Sequence, residues 1–417
     1  MRNQNKQRGR RGALALCVSL AMVAAACSSD DAESEPAATD AEAEEVVEEE
    51  ATEEEPAEEE AMEEEPAEEE AMEEEAMEED EPAPEPETNA LVEQFDADGD
   101  GTVTIGVAAA GPRDDGGYVE GLVSFTEEWA TENGFPAPIV VDNIGADEAA
   151  QSMSDLAQQG VDLMFVGASE IAEPLGDLTE AFPDIFWYCN CGAGFEELPG
   201  LAQATDWGAA IHYTAGVAMG QLLVESGGTK ATFLGCCELN FEVEALEATR
   251  AGMASIDPSL TMDYVATGDF PFDFANSANA TAAFSTAVAD GSTLVYAYLD
   301  GALEPVAQAA TEAGIAVFAA GPADVCGRDD GIEWTGSVVF DGGLYAAEGV
   351  AKIVEGTLTE GTTYQFPTQQ GLNGALICDP SAETTAAIDE SFGLLAAFDE
   401  DLMGQLGAIS GAAYAGG

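Results

Sequence analysis

Asp114, Asp115 and Tyr118 fall together in TVTIGVAAAGPRDDGGYVEGLVSF at residues 102–125, and their chemistry is that of a grip on a small molecule. The two carboxylates accept hydrogen bonds, Gly116 and Gly117 allow close backbone approach, and Tyr118 offers a flat aromatic face. Asp300 and Asp324 stand in similar positions, each shortly after an apolar run, and Ser169 closes the run FVGAS. Trp207, Phe241 and Phe340 are aromatics near further strand ends or the crossing between lobes. Nothing among these residues reads as catalysis. There is no nucleophile elbow, no HExxH, no dinucleotide fingerprint and no phosphate loop. His212 is the only histidine and sits in a small-residue helical stretch, where it reads as packed rather than as a general base. An enzyme needs groups with separate roles, so the chain is read as a non-enzyme that uses no cofactor and no metal.

These residues need a scaffold, and the apolar pattern supplies one. Strand-like runs occur at 103–107, 139–141, 163–166, 185–188, 232–234, 262–265, 293–298, 316–319 and 336–340. Helical spacing fills most of the gaps, at 147–159, 171–181, 209–226, 242–254, 280–288, 302–313 and 344–355. Alternation of this kind means α/β architecture, with parallel sheets covered by helices on both faces. The body is too long for one core, so two lobes are expected, with a boundary near Asp206. In such sheets ligands sit in the loops at the carboxyl ends of strands, where the candidate residues lie.

Before the body come a leader and a leash. Residues 1–11 are basic, 12–26 are apolar and end in small residues, and AAAC places Cys27 as a lipidation site. Residues 1–26 therefore read as a lipoprotein signal peptide. The multiple acyl chains of such an anchor would hold the protein at the cell membrane, on its extracytoplasmic face. From 27 to 94 the chain is an acidic linker, in which EEEPAEEEAM at 53–62 is repeated unchanged at 63–72. It has no apolar core to collapse on and reads as disordered. An acidic partner-binding or cation-collecting tail is the other reading.

The formal charge is −73, and after the linker only Arg113, Lys230, Arg250, Arg328 and Lys352 are strong bases. Such an acidic body argues against nucleic acid and against direct contact with anionic lipid. Asp96, Asp98 and Asp100 match the first ligand spacings of a calcium loop, but the twelfth position is Val107 and a strand follows. An acidic turn before the first strand is the better reading.

With Cys17 in the leader and Cys27 acylated, six cysteines are left: Cys189, Cys191, Cys236, Cys237, Cys326 and Cys378. An even set in an exported protein favours disulfides, among fifteen possible connectivities. A soft-thiolate metal site is the sharper alternative, though no histidine lies near any cysteine.

In their order the motifs resemble those of the basic membrane protein family of ABC-transporter solute-binding lipoproteins, the purine-nucleoside-receptor-like group. The resemblance spans about 103–398. It is carried by the Asp-rich loop at 103–118, FVGAS at 165–169, PDIFWYCN at 183–190, the acidic turn at 236–241 leading to ATRAGM at 248–253, LVYAYLDGALEPVAQAA at 294–310, and the segment reaching Asp324. It implies a type I periplasmic-binding-protein fold, two doubly wound parallel-sheet lobes joined by a hinge, with ligand closed between them. The lobes are expected at 95–208 with 328–362, and at 209–327 with 363–417.

By the same resemblance Asp115 matches the first-loop aspartate, Tyr118 the aromatic that stacks on a nucleobase, and Asp324 an aspartate suited to sugar hydroxyls. Asp300 occupies a loop that is usually glycine-rich. Phe340 stands where a lysine is expected, and Val119 where an asparagine is expected. The function implied is capture of a small ring-bearing solute, nucleoside-like and neutral or cationic, by a monomer that serves ABC permease subunits. A membrane-tethered sensor that passes occupancy to a signalling partner uses the same cleft and is the second reading.

Overall fold

The computed structural model describes residues 89–192, 195–270 and 272–415. The leader, Cys27 and nearly all of the acidic linker lie outside the described residues. The chain enters through α1 (Ala90–Phe95), whose amino end is capped by Asn89 Oδ1 accepting from the Leu91 amide at 3.0 Å. An acidic turn follows, in which Asp96 accepts from the amides of Gly99 and Gly101. It leads into a strand, as the sequence indicated.

The first lobe then alternates: β1 (Ile105–Ala109), α2 (Tyr118–Asn133), β2 (Ile139–Val141), α3 (Ala149–Ala157), β3 (Leu163–Gly167), α4 (Leu175–Ala181), β4 (Phe186–Asn190) and β5 (Leu201–Thr205). β1 and β3 are buried at every position, which is why they read as continuous apolar runs. α4 begins after Pro174 rather than at 171, because residues 169–171 form a separate 3-10 turn.

The second lobe repeats the plan with α5 (Gly208–Ser226), β6 (Lys230–Gly235), α6 (Asn240–Ile256), β7 (Thr261–Ala266), α7 (Ser277–Ala289), β8 (Leu294–Ala297), α8 (Leu303–Ala313), β9 (Ala316–Gly321) and β10 (Gly336–Val339). The chain returns to the first lobe for α9 (Gly342–Val354) and β11 (Thr362–Gln365). It ends in the second with β12 (Gly374–Ile377), α10 (Ala382–Ala396) and α11 (Glu400–Tyr414).

One sheet has the order β11-β5-β4-β3-β1-β2, and the other β12-β10-β9-β8-β6-β7. All neighbours are parallel except β10 and β12. Each sheet is doubly wound, with its order reversing beside β1 and β3 in one lobe and beside β6 and β8 in the other. These are the switch points at which such sheets open a crevice. The architecture is the type I periplasmic-binding-protein fold.

Two expected lobe boundaries are corrected by the pairing. Gly336–Val339 pairs with β9 in the second sheet, so the second crossing falls at Phe340 and Asp341 and not at 328. Thr363, Tyr364 and Gln365 pair with β5 in the first sheet, so the last crossing lies beyond Gln365 and not at 363.

α2 and α9 pack closely in the first lobe. A Cβ at Gly342 would strike the carbonyl oxygen of Tyr118. Absence of a side chain at 342 is therefore what lets α9 lie against the first turn of α2 and fix where Tyr118 starts. Among the described residues no helix is long and apolar enough to cross a membrane.

Candidate functional site

A cleft of about 1010 Å³ lies between the carboxyl ends of the two sheets. From the first lobe it is lined by Asp115 and Tyr118 after β1, Ser169 and Glu170 after β3, and Asn190 and Cys191 at the end of β4. The second lobe contributes Cys237 and Phe241 after β6, Tyr298 and Asp300 after β8, and Phe340 after β10. The lining thus comes from both switch points.

Tyr118 opens α2, and its hydroxyl accepts from the Asn190 side-chain amide at 2.9 Å. Burial pushes this phenol well up, so it stays neutral. Asp115 lines the cleft too, but its carboxylate is engaged. Oδ1 accepts from the amides of Gly117 at 2.8 Å and Glu120 at 2.9 Å, and Oδ2 from Val119 at 3.0 Å. It thereby satisfies amides at the start of α2 that have no partner within the helix.

The opposite wall is aromatic. Tyr298 stacks on Phe340 with ring centres 5.5 Å apart, and Phe241 lies 6.1 Å from Tyr298 and 6.3 Å from Phe274. The Phe241 loop is shaped by Glu242, whose buried carboxylate accepts from the amides of Cys236, Cys237 and Leu239. Burial pushes Glu242 up despite these bonds.

His212 belongs to the same wall. Its ring lies 5.9 Å from Phe340 and is held at both nitrogens: Nδ1 faces the Gly208 carbonyl at 2.8 Å, and Nε2 the Tyr296 hydroxyl at 3.0 Å. Burial lowers its pKa to about 4, which keeps the imidazole neutral. Both nitrogens are occupied, so it offers no free base.

Asp300 is different from the other acids. Its Oδ1 is buried and has no hydrogen-bond partner. Burial first, then the charge of Asp115, push its pKa up to about 8. Burial also raises Glu170, Asp206 and Glu244, all of which line the cleft.

Of the residues singled out from sequence, the cleft gathers Asp115, Tyr118, Ser169, Phe241, Asp300 and Phe340. Three lie elsewhere. Asp114 is exposed and is not among the residues that line the cleft. Trp207 turns toward the last helix, where its indole donates to Ser410 Oγ at 3.0 Å. Asp324 is exposed and bound to Arg328 at 2.6 Å, because the chain after β9 leads out into a short turn at Val325–Gly327.

The sequence reading passed over Glu170, Asp206, Glu244, Tyr298 and the phenylalanines at 270, 272 and 274. Glu170 directly follows FVGAS, and the last three form the run FPFDF, so both carried a signal. The six cysteines stand as three pairs, Cys189 with Cys191, Cys236 with Cys237, and Cys326 with Cys378.

Comparison with solved structures gives the same fold. A solute-binding protein of an ABC transporter system from Aeropyrum pernix K1 aligns at TM-score 0.54 and 14% identity, over 75% of this chain and 92% of that one. One from Conexibacter woesei DSM 14684 aligns at 0.53 and 19%, over 72% and 97%. A transcriptional activator of the comK gene from Bacillus halodurans aligns at 0.54 and 17%, over 70% and 96%. At these identities the likeness is one of fold. No protein-family model and no curated protein sequence matches the chain.

Proposed function

We propose that this protein is the extracytoplasmic solute receptor of an ABC importer, tethered through a lipidated Cys27. It captures a small ring-bearing solute, nucleoside-like in shape, between its lobes and presents the closed form to permease subunits. The observation that carries this reading is the cleft itself. It opens at the switch points of both sheets and is lined by Tyr118 from one lobe and by Phe241, Tyr298 and Phe340 from the other. A planar solute between such faces gains roughly 0.5–1.5 kcal/mol per ring beyond simple burial.

A non-catalytic role fits the same side chains. His212 is held at both nitrogens, and Asp115 is engaged by backbone amides. The fold also serves a protein named as a transcriptional activator, so a tethered sensor is the second reading and uses the same cleft.

A thermal-shift screen of nucleosides, sugars, amines and amino acids tests the proposal, since ligand bound to the native state raises stability by mass action. The expected result is a stabilising solute whose effect is lost in Tyr118→Ala. A solute that stabilises wild type and Tyr118→Ala equally would place binding outside the cleft.

A further inference from the structure

Resting on the reading of the cleft as a solute site, its charge narrows the class of solute. Eight acidic residues line the cleft, and no lysine or arginine does. Several are already engaged: Asp115 by three backbone amides, Asp206 by the Tyr345 hydroxyl at 2.8 Å, and Glu170 by Ser169 Oγ at 3.3 Å. Asp300 pairs with the Asp115 carboxyl and accepts from the Gly301 amide, yet its buried Oδ1 meets no donor among the described residues. A buried acceptor without a donor is costly, and a ligand that brings one recovers that cost. The rings of Phe241, Tyr298 and Phe340 line the cleft from the same lobe as Asp300. Aromatic faces combined with carboxylates are the chemistry that recognises organic cations. An anion among these acids would meet repulsion from every side.

We propose that the cleft is selective for a ring-bearing organic cation, a protonated primary or secondary amine, whose N–H donates to Asp300 while its ring lies against the Phe241 and Tyr298 shelf. The groups acting electrostatically on Asp300 are Asp115 and Glu170, both acidic. With burial, and with the two carboxyls hydrogen-bonded, they favour a proton on the Asp300–Asp115 pair. An ammonium placed there ionises it, and binding releases a proton to solvent.

The test is titration calorimetry with matched pairs that differ only in charge: 5′-amino-5′-deoxyadenosine against adenosine, and 2-phenylethylamine against 2-phenylethanol. The amine of a pair is expected to bind at least about tenfold tighter than its alcohol. The measured heat should change with the buffer's ionisation enthalpy for the amine alone. Asp300→Asn should pull the ratio toward one and abolish the proton release.

The wild-type ratio and the proton count need no variant, so a poorly folded Asp300→Asn leaves the test intact. Equal affinities within both pairs would overturn the proposal, as would absence of binding by either amine. If a neutral solute then binds in a Tyr118-dependent way, the cleft reading stands without the cation. If solutes bind regardless of Tyr118, both readings fall.

Discussion

The Asn190 side-chain amide donates to the Tyr118 hydroxyl across 2.9 Å, tying the end of β4 to the first residue of α2. This bond spans two elements of the first lobe and sets the ring at one wall of the cleft. Tyr118→Ala is therefore expected to weaken solute binding by roughly tenfold or more through lost stacking. Tyr118→Phe keeps the ring and loses only the tether, so its loss should be smaller. Calorimetry with the best solute from the screen decides, and equal losses in the two variants would mean that the hydroxyl, not the ring, matters.

Asp115 and Asp324 were both read from sequence as ligand groups, and their surroundings now separate them. Asp115 is buried and caps α2 through three amides. Asp115→Ala should cost about 1–2 kcal/mol of stability, the upper part of the range for a lost cap. Asp324 is exposed and pairs with Arg328 at the surface, an interaction worth little. Asp324→Ala should leave the unfolding midpoint nearly unchanged and solute affinity within about twofold of wild type. A large loss of affinity in Asp324→Ala would return that residue to the site.

His212 makes the stability of the protein depend on pH in a particular window. Its folded pKa is about 4, depressed from 6.5 by burial. Between these values the unfolded chain takes up a proton that the folded protein refuses. Stability from this group is therefore whole above about pH 6.5 and is lost as pH falls toward 4, with a total on the order of 3 kcal/mol. Chemical denaturation of wild type and His212→Gln at pH 7, 6, 5 and 4 checks it. The gap between the two proteins should change across this range. A constant gap would show that the imidazole does not titrate on unfolding.

The legible parts of the fold were those that bury both faces of a strand. β1 and β3 are covered at every position and left unbroken apolar runs. β11, TTYQ, lies mostly exposed at a sheet edge and buries almost nothing. With it went the position of the last crossing, which was expected at 363 and lies beyond Gln365. In the cleft, Tyr118, Phe241 and Asp300 were legible because each follows a strand end. Whether Asp115 faces a ligand or a helix start depends on a loop's path, which residue types do not encode. Trp207 faces α11, a helix that the pattern did not delineate, so its partner Ser410 could not be foreseen.

The three cysteine pairs divide into two kinds by the chain that they enclose. Cys326 and Cys378 are separated by 52 residues and link the turn after β9 to the end of β12. Closing a loop of that length in the unfolded chain is worth roughly 4 kcal/mol in the chain-entropy account. Cys189 with Cys191 and Cys236 with Cys237 are two and one residues apart, and enclose almost no chain. Cys191 and Cys237 line the cleft from opposite lobes, so these short pairs shape loops of the cleft wall. Replacing Cys326 and Cys378 together by serine should therefore lower the unfolding midpoint while solute affinity changes little. Replacing Cys236 and Cys237 should do the reverse. Alkylation without reduction, followed by mass spectrometry, should find no label on any of the six in the native protein. Quantitative labelling, or stoichiometric zinc or copper in the purified protein, would overturn the disulfide assignment and with it this division.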